Sequence, residues 1–368
     1  MIWLAIAVIS VLLVQDFLLY VLWNSYFKSH TSVQSKVVLP TLSVLVACRN
    51  EAENLPNCLK ALDGLQYPKE RMQFVMGNDN SSDATLDQLS KWVSTKPNAV
   101  LVEVEEGLYP NTNGKANALH QMAIQANGEI LLFTDADCLV PPSWAQRMAE
   151  AFVSTDAAYI TGVTTVSGDS TWENFQRLDW LMTLGIIKIL TDIGSSVTSM
   201  GNNMGIRTAA YLQVGGFAGI GFSLTEDLKM AQVLNQAGYK GEHLFSEGNL
   251  IITKAQSDLN SLLSQRKRWM AGAMSLDLIW KVMMFFQVIF YPAILILIVQ
   301  YGVVGIVGWM LKIFLQTAFM KLLLAKIGKK ADIRQFLGFE IYYMIVSWST
   351  IVYYFWPSHT DWKGRKYP

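Results

Sequence analysis

The first 23 residues, MIWLAIAVISVLLVQDFLLYVLW, constrain this chain more than any other feature: they are almost wholly apolar. Wound as a helix rising about 1.5 Å per residue, they are long enough to cross a bilayer. The run lacks the basic start and the small-residue cleavage pattern of a secretory signal, so residues 1–27 read as a retained anchor. Gln15 and Asp16 lie inside it, where a charge is expensive and is expected to face other helices or an interface.

A second greasy region covers residues 276–357, with spans expected near 281–300, 301–322 and 337–356. The composition agrees: 52% of residues are hydrophobic and only 16% charged, which is too apolar for an ordinary soluble enzyme. If the central region faces the cytosol, three crossings put the basic loop AKIGKKADIR inside, as the positive-inside tendency asks. The same count puts the basic tail, residues 358–368, outside. Its Lys363, Arg365 and Lys366 argue for the inside, so one stretch is a candidate for lying at the interface. A further amphipathic stretch, residues 175–190, repeats Phe175, Leu178, Met182, Ile186 and Ile189 at helical spacing and fits a membrane surface or a core equally well.

Between these regions, residues 36–275 change character. Short β-rich runs, LSVLVACRN, QFVMGND and EILLFTDAD, alternate with amphipathic stretches such as 55–63 and 83–93. That alternation predicts an α/β, doubly wound, Rossmann-like layer structure with its ligand beyond the carboxyl ends of the strands. All three runs finish there in polar or acidic residues. With 29 acidic and 29 basic residues, nothing supports an electrostatic grip on nucleic acid. Cys48, Cys58 and Cys138 show no ligand spacing and read as reduced thiols. His30, His120, His243 and His359 are too scattered to build a zinc site.

Taken singly, the acids are ambiguous. Asp79 in GNDNSSDAT fits a turn or cap as well as a ligand contact. Asp135 and Asp137 end a strand, and side chains at i and i+2 of an extended segment face the same side. Two carboxylates without histidine suit Mg2+ or Mn2+ arriving with a substrate diphosphate. Glu226 and Asp227 open a helix, where acids are favourable anyway, but a carboxylate there could also serve as a general base. In QRKRWMAG, Arg266, Lys267 and Arg268 stand beside Trp269; they suit lipid headgroups or a phosphate clamp with an aromatic platform.

In order along the chain, SVLVACRNEAENLPNCLKAL, NDNSSDAT, NGKANAL, FTDADCLVPPSW, GNNMGIR, VGGF, TEDLKMAQVLNQAGY and QRKRW resemble the inverting glycosyltransferases of family 2. The likeness is greatest to the membrane-integrated branch of cellulose, hyaluronan and poly-N-acetylglucosamine synthases and ceramide glucosyltransferase. It spans about residues 40–272 and implies a GT-A fold flanked by transmembrane helices. It also implies a UDP-sugar donor contacted by Ala47, Arg49, Glu51, Asp79, Lys115 and Asp135, and a metal, Mg2+ or Mn2+, on Asp135 and Asp137. Asp227 would be the general base. Gln265 and Arg268 would hold the leaving diphosphate, and Glu226 and Trp269 the acceptor.

One departure is visible: where many relatives carry two adjacent Asp after the second strand, the first is Asn78 here. The resemblance leaves a lipid or glycan acceptor open, with membrane lipids as surroundings and a homodimer or partner subunit as a way to complete a polymer channel. It implies an integral membrane protein of the bacterial inner membrane with its catalytic domain in the cytoplasm. A processive polysaccharide synthase subunit and a non-catalytic scaffold with a nucleotide-binding fold are the alternatives.

Overall fold

A computed structural model describes residues 2–30, 38–357 and 360–367. His359 and the expected domain start at residue 36 lie outside the described residues. The leading apolar run forms α1 (Ile2–Tyr26). The strands that follow are β1 (Leu42–Cys48), β2 (Met72–Asn78), β3 (Ala99–Glu103), β4 (Ile130–Asp135), β5 (Tyr159–Gly162), β6 (Thr164–Val166), β7 (Met204–Arg207), β8 (Gly241–Leu244) and β9 (Ile251–Thr253). Seven of them make one sheet in the order β3-β2-β1-β4-β7-β5-β8, and β6 pairs with β9 apart from it. The helices of this region are α2 (Leu55–Asp63), α3 (Thr85–Ser94), α4 (Gly114–Ile124), α5 (Trp144–Ser154), α6 (Thr171–Asp192), α7 (Thr208–Gln213), α8 (Gly216–Gly219), α9 (Glu226–Gln236) and α10 (Leu259–Ala273).

The parallel strands β1 and β4 are continuous apolar runs because both sheet faces are covered. Val44 and Val46 of β1 enter a core with Leu59 of α2 and Met148 of α5, whereas Leu45 enters another with Leu119 and Met122 of α4. Each such buried aliphatic side chain contributes about 1.5–3 kcal/mol. β1 pairs in parallel with β2 on one side and β4 on the other, so the strand order reverses here and opens a crevice beyond the carboxyl ends. Register matches Ala47 with Gly77 and with Asp135. Asp79, Asp135 and Asp137 therefore stand at one level around that crevice.

Three apolar helices follow: α11 (Leu278–Tyr301), α12 (Val303–Lys326) and α13 (Ile333–Phe355). With α1 they are long and apolar enough to cross a membrane. α13 behaves differently from the other three. Near its start Gly338 admits the Phe175 ring at a point where any Cβ would collide with it. At its end Tyr353 Oη lies 3.3 Å from Ser264 Oγ, and Lys267 Nζ donates to the Trp356 carbonyl at 3.1 Å. Both ends of α13 thus touch α6 or α10, and the helix runs along the sheet domain instead of away from it.

The amphipathic stretch 175–190 lies within α6, which opens on a capping box of Ser170 and Glu173. Leu178, Leu181, Leu184 and Ile189 are buried in a cluster with Trp23 of α1, Leu323 of α12 and Phe339 of α13. α6 is therefore the seam between the sheet domain and the apolar helices. Its last turn carries a buried pair, Lys188 Nζ to Asp192 Oδ1 at 2.6 Å. Lys188 also donates to the Lys28 carbonyl at 2.9 Å, and Asp192 Oδ2 accepts from Lys28 N at 3.0 Å. Asp192→Ala would leave the Lys188 ammonium buried with its ion partner removed. The expected cost is roughly 3–5 kcal/mol, read as a lower unfolding temperature of the full chain in detergent.

Candidate active site

A cavity of about 880 Å³ opens at the crevice. Ala47, Arg49, Asp79, Lys115, Asp135, Asp137, Glu226, Asp227, Gln265, Arg268 and Trp269 all line it, so the structure brings together eleven residues spread from position 47 to position 269. Glu51 is the exception among the expected residues. It is buried, accepts from Asn54 Nδ2 at 2.7 Å, and pairs with Lys363, which lines the cavity.

Each acid is held in a distinct way. Asp135 Oδ1 accepts from Lys115 Nζ at 2.6 Å. Burial alone would push this carboxyl up, but the charge and hydrogen bond of Lys115 outweigh it and hold Asp135 below the usual aspartate range. Asp137 Oδ1 accepts only weakly from Cys138 Sγ at 3.5 Å, and among the described residues no ion pair reaches it: burial, then the neighbouring Asp135 charge, push it up. Lys115 also faces Glu226 at 3.6 Å, and although burial disfavours its charge, Asp135, Glu226 and Asp227 together raise it above an ordinary lysine. It stays an ammonium.

Asp227 stands at the first turn of α9. Its Oδ2 accepts from Gly201 N at 2.7 Å and its Oδ1 from Leu228 N at 2.8 Å. A Cβ at Gly201 would lie 3.2 Å from Oδ2, so glycine lets the backbone approach that closely. Burial, and after it the Glu226 charge, push Asp227 up to about 6, while Gly201 and Lys115 pull the other way. Glu226 is oriented by Asn113 Nδ2, which donates at 3.0 Å while its own side chain caps α4.

α10 supplies the far wall. Arg268 is half-buried; the loss of solvent lowers it, and the charges of Glu226, Asp135, Asp227 and Asp137 act to retain its proton. The Gln265 Oε1 atom is buried without a hydrogen-bond partner among the described residues. Trp269 packs edge-on against Trp180 with centroids 4.9 Å apart, and the Arg266 guanidinium lies 4.7 Å over the Trp269 ring. Arg266 itself is tied to Asp179, so it belongs to the seam with α6 and not to the acid cluster.

Among the described residues no group of three or more His, Cys, Asp and Glu is arranged to hold a metal ion. Asp135 and Asp137 form a two-carboxylate, all-oxygen donor set that fits a hard cation whose remaining ligands come from a substrate. The three cysteines are free and buried, and burial, chiefly, pushes the Cys58 thiol up to about 12; they are inert where they flank the acids.

Sequence reasoning missed two cations. The hairpin of β10 (Thr360–Trp362) and β11 (Arg365–Tyr367) folds back onto the crevice, and Lys363 and Arg365 line the same cavity. The readable signal was a Lys-Gly pair between Trp362 and Tyr367, a two-residue hairpin turn of the kind that needs positive φ at both positions. Lys363 and Gly364 have φ of 49° and 78°.

Comparison with known proteins follows the same lines. The family described as "Glycosyl transferase family 2" matches residues 43–215, and "Glycosyl transferase family group 2" matches residues 130–356. A "Probable glycosyltransferase YdaM" of Bacillus subtilis (strain 168) is 36% identical over 100 residues, 27% of this chain and 23% of the relative. A poly-beta-1,6-N-acetyl-D-glucosamine synthase of Staphylococcus aureus (strain COL) is 27% identical over 239 residues, 64% of this chain and 55% of the relative. The chain thus spans about a quarter and about half of these two relatives. In fold it is similar to the mannosyltransferase PcManGT from Pyrobaculum calidifontis, solved with GDP-Man and Mn2+. The TM-score is 0.60 at 14% identity, covering 96% of this chain and 98% of that one. A mixed sheet with acids at its switch point, apolar helices on both sides and a family match across residues 130–356 lead to one statement: this chain belongs to glycosyl transferase family 2, with a GT-A fold.

Proposed function

We propose that the chain is an inverting transferase that moves a sugar from a nucleotide-diphospho-sugar, a UDP-sugar by resemblance, to a lipid or lipid-linked acceptor. The observation that carries the acceptor class is the continuity of the cavity. From the acids it passes Trp269 and Trp180 and continues between Leu19 of α1, Met182 and Ile186 of α6, Met283 and Val288 of α11 and Phe319 of α12. An amphiphile can keep its chain among these side chains while its hydroxyl reaches Asp227.

In this reading the acceptor oxygen attacks the anomeric carbon, the bond from that carbon to the β-phosphate oxygen breaks, and the acceptor proton passes to Asp227. Gly201 N–H fixes the carboxylate, and the push up to about 6 suits it to a proton transfer near neutrality. Arg268 and the amide of Gln265 would hold the departing diphosphate, Lys115 would stand beside it, and Glu226 and Trp269 would orient the acceptor. A divalent ion, Mg2+ or Mn2+, would be held by Asp135 and Asp137 and would supply charge neutralisation on the leaving diphosphate. Ala47, Arg49 and Asp79 would line the nucleotide end.

We read α1, α11 and α12 as membrane crossings and α13 as an interfacial helix, because both its ends touch the catalytic layer. That arrangement leaves residues 38–275 and the terminal hairpin on one side, taken as the cytoplasmic face. A growing glycan is the competing acceptor, favoured by Gln15, Asp16, Gln287 and Gln316, which line the membrane half of the cavity.

Membranes containing the full chain, incubated with labelled UDP-sugars and Mn2+, should yield a labelled product that extracts into organic solvent. Label confined to water-soluble polymer would replace the lipid acceptor by a glycan, and no UDP or other nucleotide release from any donor would remove the enzymatic reading. Because the base must be ionised, transfer should fall as the pH drops through about 6 and level off above it, with a slope of one proton in kcat/KM. A flat profile between pH 5 and 7, roughly, would exclude Asp227 as that base.

A further inference from the structure

The hairpin 360–367 lies beyond both segments matched to the family, which end at residues 215 and 356. Its anchor is Tyr367, which is 8% exposed and whose hydroxyl accepts from Gly114 N at 3.2 Å. Arg49 Nε adds a hydrogen bond to the Lys363 carbonyl at 3.3 Å. So placed, the turn projects two cations into the nucleotide end of the cavity. Arg365 takes both oxygens of Asp79, Nη1 to Oδ2 at 2.6 Å and Nη2 to Oδ1 at 2.9 Å, and reaches Glu106 Oε1 at 2.8 Å. Lys363 pairs with buried Glu51, and its charge is felt at Asp135 and Asp137.

The acid expected to meet the nucleotide is thus occupied by a guanidinium, and the two cations line the same cavity as Asp135 and Asp137. A fork of N–H donors that fits a carboxylate bidentately fits a phosphate equally well, so exchanging one anion for the other conserves the hydrogen bonds. We propose that the hairpin closes the donor pocket and that Lys363 and Arg365 are donor-binding residues. On entry of a nucleoside-diphosphate sugar, Arg365 leaves Asp79, Lys363 leaves Glu51, and both cations pass to the diphosphate. The proposal rests on the nucleotide-sugar reading of the site.

The test is binding of UDP and of uridine, each with Mn2+, to the full chain in detergent by titration calorimetry, for wild type, Arg365→Ala and Lys363→Ala. Each variant is expected to bind UDP about tenfold more weakly or worse, while uridine, which carries no phosphate, binds Arg365→Ala as well as or better than wild type because Asp79 is uncovered. Raising the salt should weaken UDP binding less steeply in the variants. Arg365→Lys should recover part of the loss, and an unchanged melting temperature separates the effect from misfolding. Unchanged or tighter UDP binding by both alanine variants would overturn the proposal and make the hairpin a plug. Equal losses for UDP and uridine would overturn it in favour of a role in positioning Asp79. A wild-type chain that binds uridine, UDP and GDP not at all would remove the donor reading together with the proposal, a result distinct from variants that match a binding-competent wild type.

Discussion

Asp227→Asn is expected to leave UDP affinity within about twofold of wild type and to lower glycosyl transfer by about 10²–10⁴-fold, the range for removal of a general base. The substitution preserves size, and one side-chain oxygen can still accept from Gly201 N. The amide nitrogen then faces the Leu228 N–H, so one hydrogen bond is lost, at about 1 kcal/mol. That is too little to unfold the domain and far less than the effect on rate. What disappears is the only proton acceptor on α9 that combines cavity exposure with a carboxyl pushed up to about 6; Glu226 beside it is already engaged by Asn113 and Lys115. Single-turnover transfer with UDP release followed separately checks this. Transfer within tenfold of wild type, roughly, would move the base elsewhere. A collapse of donor binding would instead make Asp227 a donor ligand.

Asp79, Asp135, Asp137 and Asp227 were ambiguous singly, as carboxylates at a strand terminus or a helix start, and became candidates through the order of motifs that resembles the family. The register of β1 with β2 and β4 then brings the first three to one level, as expected of a doubly wound sheet. What the sequence hid depends on long-range packing. Arg365 is 286 positions from Asp79, and counting crossings put its tail on the far side of the membrane, although its charges argued otherwise. Under the proposed interfacial reading of α13, which lies against α6 and α10, the tail and the sheet domain share one side and the two counts agree. Glu340 of α13, buried against Lys312 of α12, made it the least apolar of the four helices without saying which way it ran. Glu51, expected at the donor, does not line the cavity, and its carboxylate meets Asn54 and Lys363.

The two acids of the Asp-x-Asp pair should separate when each is replaced, because their surroundings differ. Asp135→Ala and Asp137→Asn are both expected to lose transfer by about 10³-fold or more if they hold the diphosphate-bound metal, and added Mn2+ should not restore it. Their effects on the fold should be opposite in sign. Asp135 is the close partner of Lys115, so its removal leaves that half-buried ammonium with Glu226 at 3.6 Å and should cost stability, although the sheet around it is formed by apolar packing and should persist. Asp137 is a half-buried acid pushed up by loss of solvent and then by Asp135, so at neutral pH the folded state ionises it at a cost that the unfolded chain does not bear. Asp137→Asn should therefore melt at the same temperature as wild type or higher. A group whose carboxyl is raised in the folded state destabilises only where it is ionised. The advantage of Asp137→Asn should accordingly shrink as the pH falls towards the ordinary aspartate range, where both states carry the proton. Melting curves of the full chain at neutral and mildly acidic pH, without metal, provide the check. If Asp137→Asn is strongly destabilised at neutral pH, the carboxylate is a structural partner and its assignment to the donor's metal falls. If Asp135→Ala keeps wild-type transfer, the pairing with Lys115 is a structural bond and the diphosphate is held elsewhere.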